Sequence, residues 1–185
     1  MGVSLFPRYN QGVKSDLDER AGRFAKLMMP HLDAAYAVAR QLTRNRHDAE
    51  DVVQEAYLRA LRYFDGFRGA EGEQESRAWL LTIVRHTCYS SRRRSMDRAE
   101  TIEFDDRLHS NPLGVDEDQR LTIEQALAAL PFEAREVVVL RELEGLSYKE
   151  IAQAINAPIG TVMSRLARAR ERLRKVIGDA AEGTT

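Results

Sequence analysis

The sequence predicts an all-α chain: two small helical domains joined by a linker, the C-terminal one a helix-turn-helix. Three observations predict it. Apolar residues recur at three- and four-residue steps over most of the 185 residues, the period of helices with one buried face. Helix breakers are few, with 11 Gly and 5 Pro, while charged residues reach 31% against 7% aromatic, a composition suited to helices rich in Ala, Leu, Arg and Glu. A polar, acidic stretch with little period, residues 96–118, interrupts the pattern.

In chain order, residues 1–20 carry no sustained period and read as a flexible arm. Residues 21–95 form the first domain. Phe24, Leu27, Met28, Leu32, Ala35, Tyr36, Ala39 and Leu42 predict one helix face. Val52, Val53, Ala56, Tyr57, Ala60, Leu61 and Phe64 predict a second helix, following Asp48. A third runs from Arg77 through Trp79, Leu80, Ile83, Val84 and Cys88 and ends in Arg92-Arg93-Arg94. Between the second and third lies GFRGAEGEQES, residues 66–76, polar and glycine-rich, a loop.

The stretch 96–118 holds eight acidic residues against two basic, with Asn111-Pro112 inside it, and reads as a linker. Residues 119–178 form the second domain, followed by a flexible tail over 179–185. Its first helix carries Leu121, Ile123, Ala126, Leu127 and Leu130, then meets Pro131, a break or a helix N1. Val137, Val138, Leu140 and Leu143 predict another helix, stopping before Gly145. Each domain is near the lower size for an independent core, so partner docking is expected to contribute to order.

The helix-turn-helix is read from GLSYKEIAQAINAPIGTVMSRLARARERLRKVI. Ser147 with Glu150 three residues later makes a capping box. Asn156 to Gly160 is the turn, and Thr161 is expected to cap the second helix. On a wheel of about 100° per residue, Val162, Leu166, Ala169, Leu173 and Val176 share one side. Thr161, Ser164, Arg165, Arg168, Arg172 and Lys175 share the other. From Arg165 to Lys175 there are six basic residues and only Glu171 against them. A merely solvated face gains by mixing signs at i,i+4, whereas this one repels itself until a phosphate backbone relieves it. The arginine face therefore predicts duplex DNA contact in the major groove.

Two other charged stretches are ambiguous on spacing alone. Asp48, Glu50, Asp51 and Glu55 crowd the start of a helix that carries Arg59 and Arg62 later, which complements the macrodipole without any partner. The third helix places Arg85, His86, Arg92, Arg93 and Arg94 beside aromatics. That pattern fits a single strand with an unstacked base, and equally a core helix ending in a basic run.

Several classes of function are excluded as expectations. Net charge is −1, so bulk charge announces no partner and only its distribution does. Cys88 is the single cysteine and His31, His47, His86 and His109 are scattered, so neither a disulfide, a metal site nor a cofactor is expected. No nucleophile–base–orienter set or phosphate loop is present, so neither an enzyme nor a small-molecule substrate is expected. No apolar run approaches the roughly 18 residues of a membrane span and no signal-type segment opens the chain, so a cytoplasmic protein without membrane insertion is expected.

Taken together, these stretches resemble the extracytoplasmic-function (ECF) sigma factors of bacteria, over roughly residues 20–177. HDAEDVVQEAYLRALRYFDGFRG is similar to the polymerase-binding segment of region 2, SRAWLLTIVRHTCYSSRRR to the promoter-melting helix, and LPFEAREVVVLRELEGLSYKEIAQAINAPIGTVMSRLARARERLRK to region 4. The resemblance implies a sigma factor that binds core RNA polymerase through the β′ clamp helices and the β flap, recognises promoter DNA and answers to an anti-sigma factor. By match to the motifs, Asp48, Asp51, Gln54, Glu55 and Arg59 would meet polymerase. Arg85, His86, Arg92, Arg93 and Arg94 would meet the −10 strand, and Thr161, Ser164, Arg165, Arg168, Arg172 and Lys175 the −35 duplex. His86 stands where the family usually has Asn, and Met163 where Arg often follows GTV. The acidic linker would thread toward the active channel. The rival reading is a sigma mimic that sequesters an anti-sigma factor. Arg165, Arg168 and Arg172 argue against it, since a mimic has no use for DNA-contacting charge.

Overall fold

A computed structural model describes residues 9–67, 72–99 and 117–182, with side-chain surroundings for 16–67, 72–96 and 123–176. Among the described residues every regular element is helical.

Helix α1 spans Tyr9–Met28 and α2 Leu32–Thr43, separated by a 3₁₀ turn at Met29–His31. The expected single helix is thus two, because Pro30 in that turn has no amide to give and its ring blocks the preceding turn. Leu32, assigned to the buried face, is exposed as a result. Helix also replaces the expected arm from Tyr9 onward; residues 1–8 lie outside the described part. Local periodicity missed a tertiary anchor here: Arg20 donates to the Asp65 carboxylate and to the Leu61 carbonyl, each at 2.7 Å.

Helix α3 spans Arg46–Tyr63 and starts before Asp48, because Asn45 caps it. The Asn45 Oδ1 accepts from the amides of His47 at 2.8 Å and Asp48 at 3.2 Å. After a 3₁₀ turn at Phe64–Gly66, α4 runs over Glu73–Ala99. It absorbs Glu73 to Ser76 from the expected loop and the first residues of the expected linker. Glu117 and Asp118, the last residues of the expected linker, open the next helix, and residues 100–116 lie outside the described part.

Four further helices follow: α5 Glu117–Ala128, α6 Phe132–Val138, α7 Tyr148–Ile155 and α8 Ile159–Glu182. Pro131 precedes α6, its carbonyl accepting from Ala134 at 3.0 Å and Arg135 at 2.9 Å. A π-helical turn, Val139–Leu143, continues α6, and Gly145 ends the run at φ +69, a conformation that favours glycine. Ile123 and Leu143, expected on apolar faces, are exposed. Helix α8 reaches into the expected tail.

Helices α2, α3 and α4 pack pairwise around Met28, Leu80 and Val84, all fully buried. An aromatic row closes one end: Phe24 meets Phe64 edge-on at 5.2 Å, and Phe67 meets Trp79 at 4.9 Å. Helices α6, α7 and α8 enclose a second core of Val137, Val139, Leu140, Ile151, Val162 and Leu166. Arg135 to Leu140 are buried without a break, so this run, from the second half of α6 into the π turn, is covered on all sides. It lies against α8 on one side and α2 on the other, while α7 packs along α4. The two groups of helices are closed on each other.

Candidate nucleic-acid and polymerase interfaces

The helix-turn-helix is built by local chemistry. Ser147 Oγ accepts from the Glu150 amide at 3.2 Å, and the Glu150 carboxylate accepts from the Ser147 amide at 2.7 Å, the capping box expected from the sequence. Asn156 leaves α7 in the left-handed conformation at φ 50. Helix α8 then begins at Ile159, two residues before the expected cap. Pro158, whose fixed φ suits a helix start, supplies the carbonyl that accepts from Thr161 at 2.9 Å and Val162 at 3.3 Å. Thr161 therefore sits inside the first turn and caps nothing.

The α8 wheel sorts as expected for most of its length. Val162, Leu166 and Ala169 are buried and Leu173 is half-buried, while Val176, at the frayed end, is exposed. On the opposite side Met163, Arg168, Arg172 and Lys175 are exposed, with Thr161, Ser164 and Arg165 half-buried. Arg168 folds back on Ser164, donating to its carbonyl and its hydroxyl at 3.3 Å each. Arg170 is tied to Glu142 and Lys175 to Glu171. Arg165 reaches Glu136 at 3.1 Å, but among the described residues Arg168 and Arg172 have no acidic partner, so this face keeps an uncompensated positive charge.

Helix α4 presents its basic residues in two ways. His86, Arg92, Arg93 and Arg94 are exposed. Arg85 is buried, and its Nε donates to Glu136 Oε2 at 2.7 Å. Arg92 lies over the Phe132 ring at 4.9 Å and 3.8 Å from the Glu133 carboxylate. In this closed arrangement Arg85 and Arg92 face α6, so the five expected strand contacts are not presented together. His86 titrates below its ordinary range, first because neighbouring atoms displace water, then because Arg85 and Arg59 are close by. Its ring is therefore neutral near pH 7, able to stack and to hydrogen-bond.

Helix α3 offers the complementary sign. Asp48, Asp51 and Gln54 are exposed, and Glu55 pairs with Arg59 at 2.7 Å on the flank. Leu58 stands 61% exposed in line with them, at i+7 from Asp51 and i+4 from Gln54. Sequence reasoning missed it, although Leu58 falls off the stripe of Val53, Ala56, Tyr57 and Ala60 and so had no core role. Also missed were three acidic residues that meet α4: Glu133, Glu136 and Glu144. Glu136 had a signal, a lone acid before Val137-Val138-Val139-Leu140.

Among the described residues no cluster of His, Cys, Asp or Glu could hold a metal ion, and no helix is long and apolar enough to cross a membrane. Burial pushes the Cys88 thiol up to about 12, which leaves it protonated and unreactive.

Family models match two segments: "Sigma-70 region 2" over residues 27–98 and "Sigma-70, region 4" over residues 120–173. The ECF RNA polymerase sigma factor SigE of Mycolicibacterium smegmatis is 36% identical over 166 residues, 86% of this chain and 63% of that protein. The ECF RNA polymerase sigma-E factor of Escherichia coli K12 is 37% identical over 138 residues, 67% of this chain and 71% of that protein. Among solved structures, the sigma factor RpoE in complex with the anti-sigma factor NepR, from Bartonella quintana, superposes with TM-score 0.71 at 29% identity, covering 81% of this chain and 93% of that one. CnrH, solved with the cytosolic domain of CnrY, has the same fold, with TM-score 0.58 at 24% identity over 84% of this chain and 88% of that one. With both sigma-70 regions matched in order and relatives above one-third identity, the chain belongs to the ECF RNA polymerase sigma factors.

Proposed function

We propose that the chain joins core RNA polymerase in the cytoplasm and directs it to promoters of a dedicated regulon, with an anti-sigma factor as its control. In this reading residues 21–95 and 119–178 act as separate domains tethered by the acidic stretch 96–118. The α8 face reads the −35 duplex: Arg168, Arg172 and Lys175 supply phosphate contacts, Arg165 borders them while held by Glu136, and Thr161 and Ser164 sit where the helix N-terminus meets base edges. Helix α4 takes the −10 strand through Arg85, His86, Arg92, Arg93 and Arg94, with His86 stacking on or hydrogen-bonding an extruded base. Asp48, Asp51, Gln54, Glu55 and Arg59 meet the β′ clamp helices, and Leu58 adds an apolar anchor among them.

The observation that carries the reading is the α8 face itself, whose Arg168 and Arg172 have no acidic partner among the described residues and stand beside an intact helix-turn-helix. The solved neighbour held by the anti-sigma factor NepR supports the regulatory half. The test is co-purification with sigma-free core polymerase followed by footprinting on genomic promoters. Stable holoenzyme with protection at two upstream elements is expected. A chain that binds no core polymerase but holds an anti-sigma factor tightly is a mimic instead.

A further inference from the structure

Glu136 is 0% exposed, and its two carboxylate oxygens serve two different helices. Oε2 accepts from Arg85 Nε of α4 at 2.7 Å, and Oε1 accepts from Arg165 Nη1 of α8 at 3.1 Å. Arg165 belongs to the same group of helices as Glu136, and Arg85 to the other.

Two more contacts flank this one. Tyr89 carries the Arg85 guanidinium over its ring at 5.2 Å and packs on Phe132 at 6.2 Å, where Arg92 also rests. At the far end of α4, Arg77 donates to both the carbonyl and the carboxylate of the buried Glu144. Three acids of the C-terminal group thus hold three basic residues along α4.

A buried carboxylate must be paired, because a desolvated lone charge is costly. Glu136 has two guanidiniums, one more than it needs. When the groups separate, Arg165 stays with Glu136 while Arg85 is released, so the Glu136 carboxylate is not left as an orphaned ion. The guanidinium fork fits carboxylate and phosphate alike, so the groove Arg85 now occupies and a DNA backbone are chemical equivalents.

We propose that Glu136 is an intramolecular stand-in for a DNA phosphate, latching α6 onto α4 so that closure and single-stranded DNA compete for Arg85 and Arg92. The latch rests on the reading of those two residues as strand contacts. Opening must then precede strand capture, and apparent affinity falls in proportion to the open fraction.

The test uses the full chain with dyes at Arg46→Cys and Lys149→Cys, exposed positions on α3 and α7; the buried native Cys88 thiol stays unlabelled. Energy transfer is read without DNA, and affinity is read with an oligothymidine strand. The parent should show high transfer. Glu136→Gln and Arg77→Ala should each lower it and tighten strand binding by about tenfold, as expected if roughly a tenth of the parent is open.

Arg77→Ala is the decisive variant. It removes a positive charge, which by itself weakens DNA binding, and it leaves Glu136 in place should Glu136→Gln misfold by circular dichroism. Unchanged transfer in Arg77→Ala overturns the latch. Lowered transfer with no gain in strand affinity overturns the competition. If Arg85→Ala in the opened chain then binds the strand equally well, it is the strand-contact reading that has failed.

Discussion

Arg59 and Glu55 close a 2.7 Å ion pair along the flank of α3, and beside it Leu58 stands 61% exposed in line with Asp48, Asp51 and Gln54. The pair satisfies the half-buried acid, while the exposed acids and the leucine are left for a partner. An exposed apolar residue with polar and charged neighbours has the anatomy of an interface, an apolar centre inside a polar rim.

Leu58→Ala should leave folding stability within about 0.5 kcal/mol, since its side chain packs against little, yet weaken core polymerase binding by more than about 1 kcal/mol. Asp51→Ala should weaken the same binding and leave −35 duplex affinity unchanged. Urea melts and a fluorescence titration against core polymerase decide it. A Leu58→Ala chain that binds core normally removes Leu58 from the interface.

Arg168 is exposed on α8 and folds onto Ser164 only through long 3.3 Å contacts, easily exchanged for DNA. Arg168→Ala should cost about 1–3 kcal/mol on a −35 duplex. Arg172→Ala should weaken binding across sequences alike and lower the salt slope by about 1. Titrations at several salt concentrations check both. An unchanged Arg168→Ala affinity means the recognition face is misassigned.

His31 supplies a pH dependence. Ser76 gives its hydroxyl proton to the Glu73 carbonyl at 3.0 Å, so His31 Nε2, 2.9 Å from Ser76 Oγ, must carry a proton and donate. Burial first, then the Arg77 charge, holds the ring below its ordinary range, with Glu73 opposing. The folded state therefore keeps His31 neutral while the unfolded chain protonates it below about pH 6.5. Stability should be fully present above that pH and decline as pH falls toward the folded value. His86 is lowered too and contributes with the same sign. The urea midpoint should drop from pH 7.5 to about 5.5, and His31→Gln should flatten that drop. An unaltered slope in the variant assigns the effect elsewhere.

Leu81 is fully buried on α4, between Arg77 and Arg85 one turn to either side. Leu81→Ala should destabilise by about 2–5 kcal/mol through lost burial and the cavity left behind. A loss under about 1 kcal/mol would mean that this core collapses around the gap.

Local chemistry was legible wherever a residue acts on its neighbours in sequence. The capping box of Ser147 and Glu150, the stop at Gly145, the wheel of α8 and the buried Cys88 all follow from spacing. The Pro30 break was equally visible but was outvoted by the apolar period running through Leu27, Met28 and Leu32. Thr161 has the chemistry of a cap, but Pro158, which offers no amide, begins the helix by its carbonyl instead. What spacing could not reveal was tertiary. Arg20 anchors α1 through residues about 40 positions away. Glu136 joins helices that are distant in sequence, and only that contact shows why an acid sits in an otherwise apolar run. The burial of Arg85 and the pairing of Arg165 with Glu136 are invisible to spacing, because a sequence shows a helix face and not what closes over it.

The most direct test is transcription from purified parts: this chain, sigma-free bacterial core polymerase and a promoter library from the source genome, with RNA starts sequenced. Discrete starts that share −35 and −10 motifs upstream, lost in Asp51→Ala and weakened in Arg168→Ala, are the predicted result. No starts above core polymerase alone, with the folded chain still gripping an anti-sigma factor, would contradict the account.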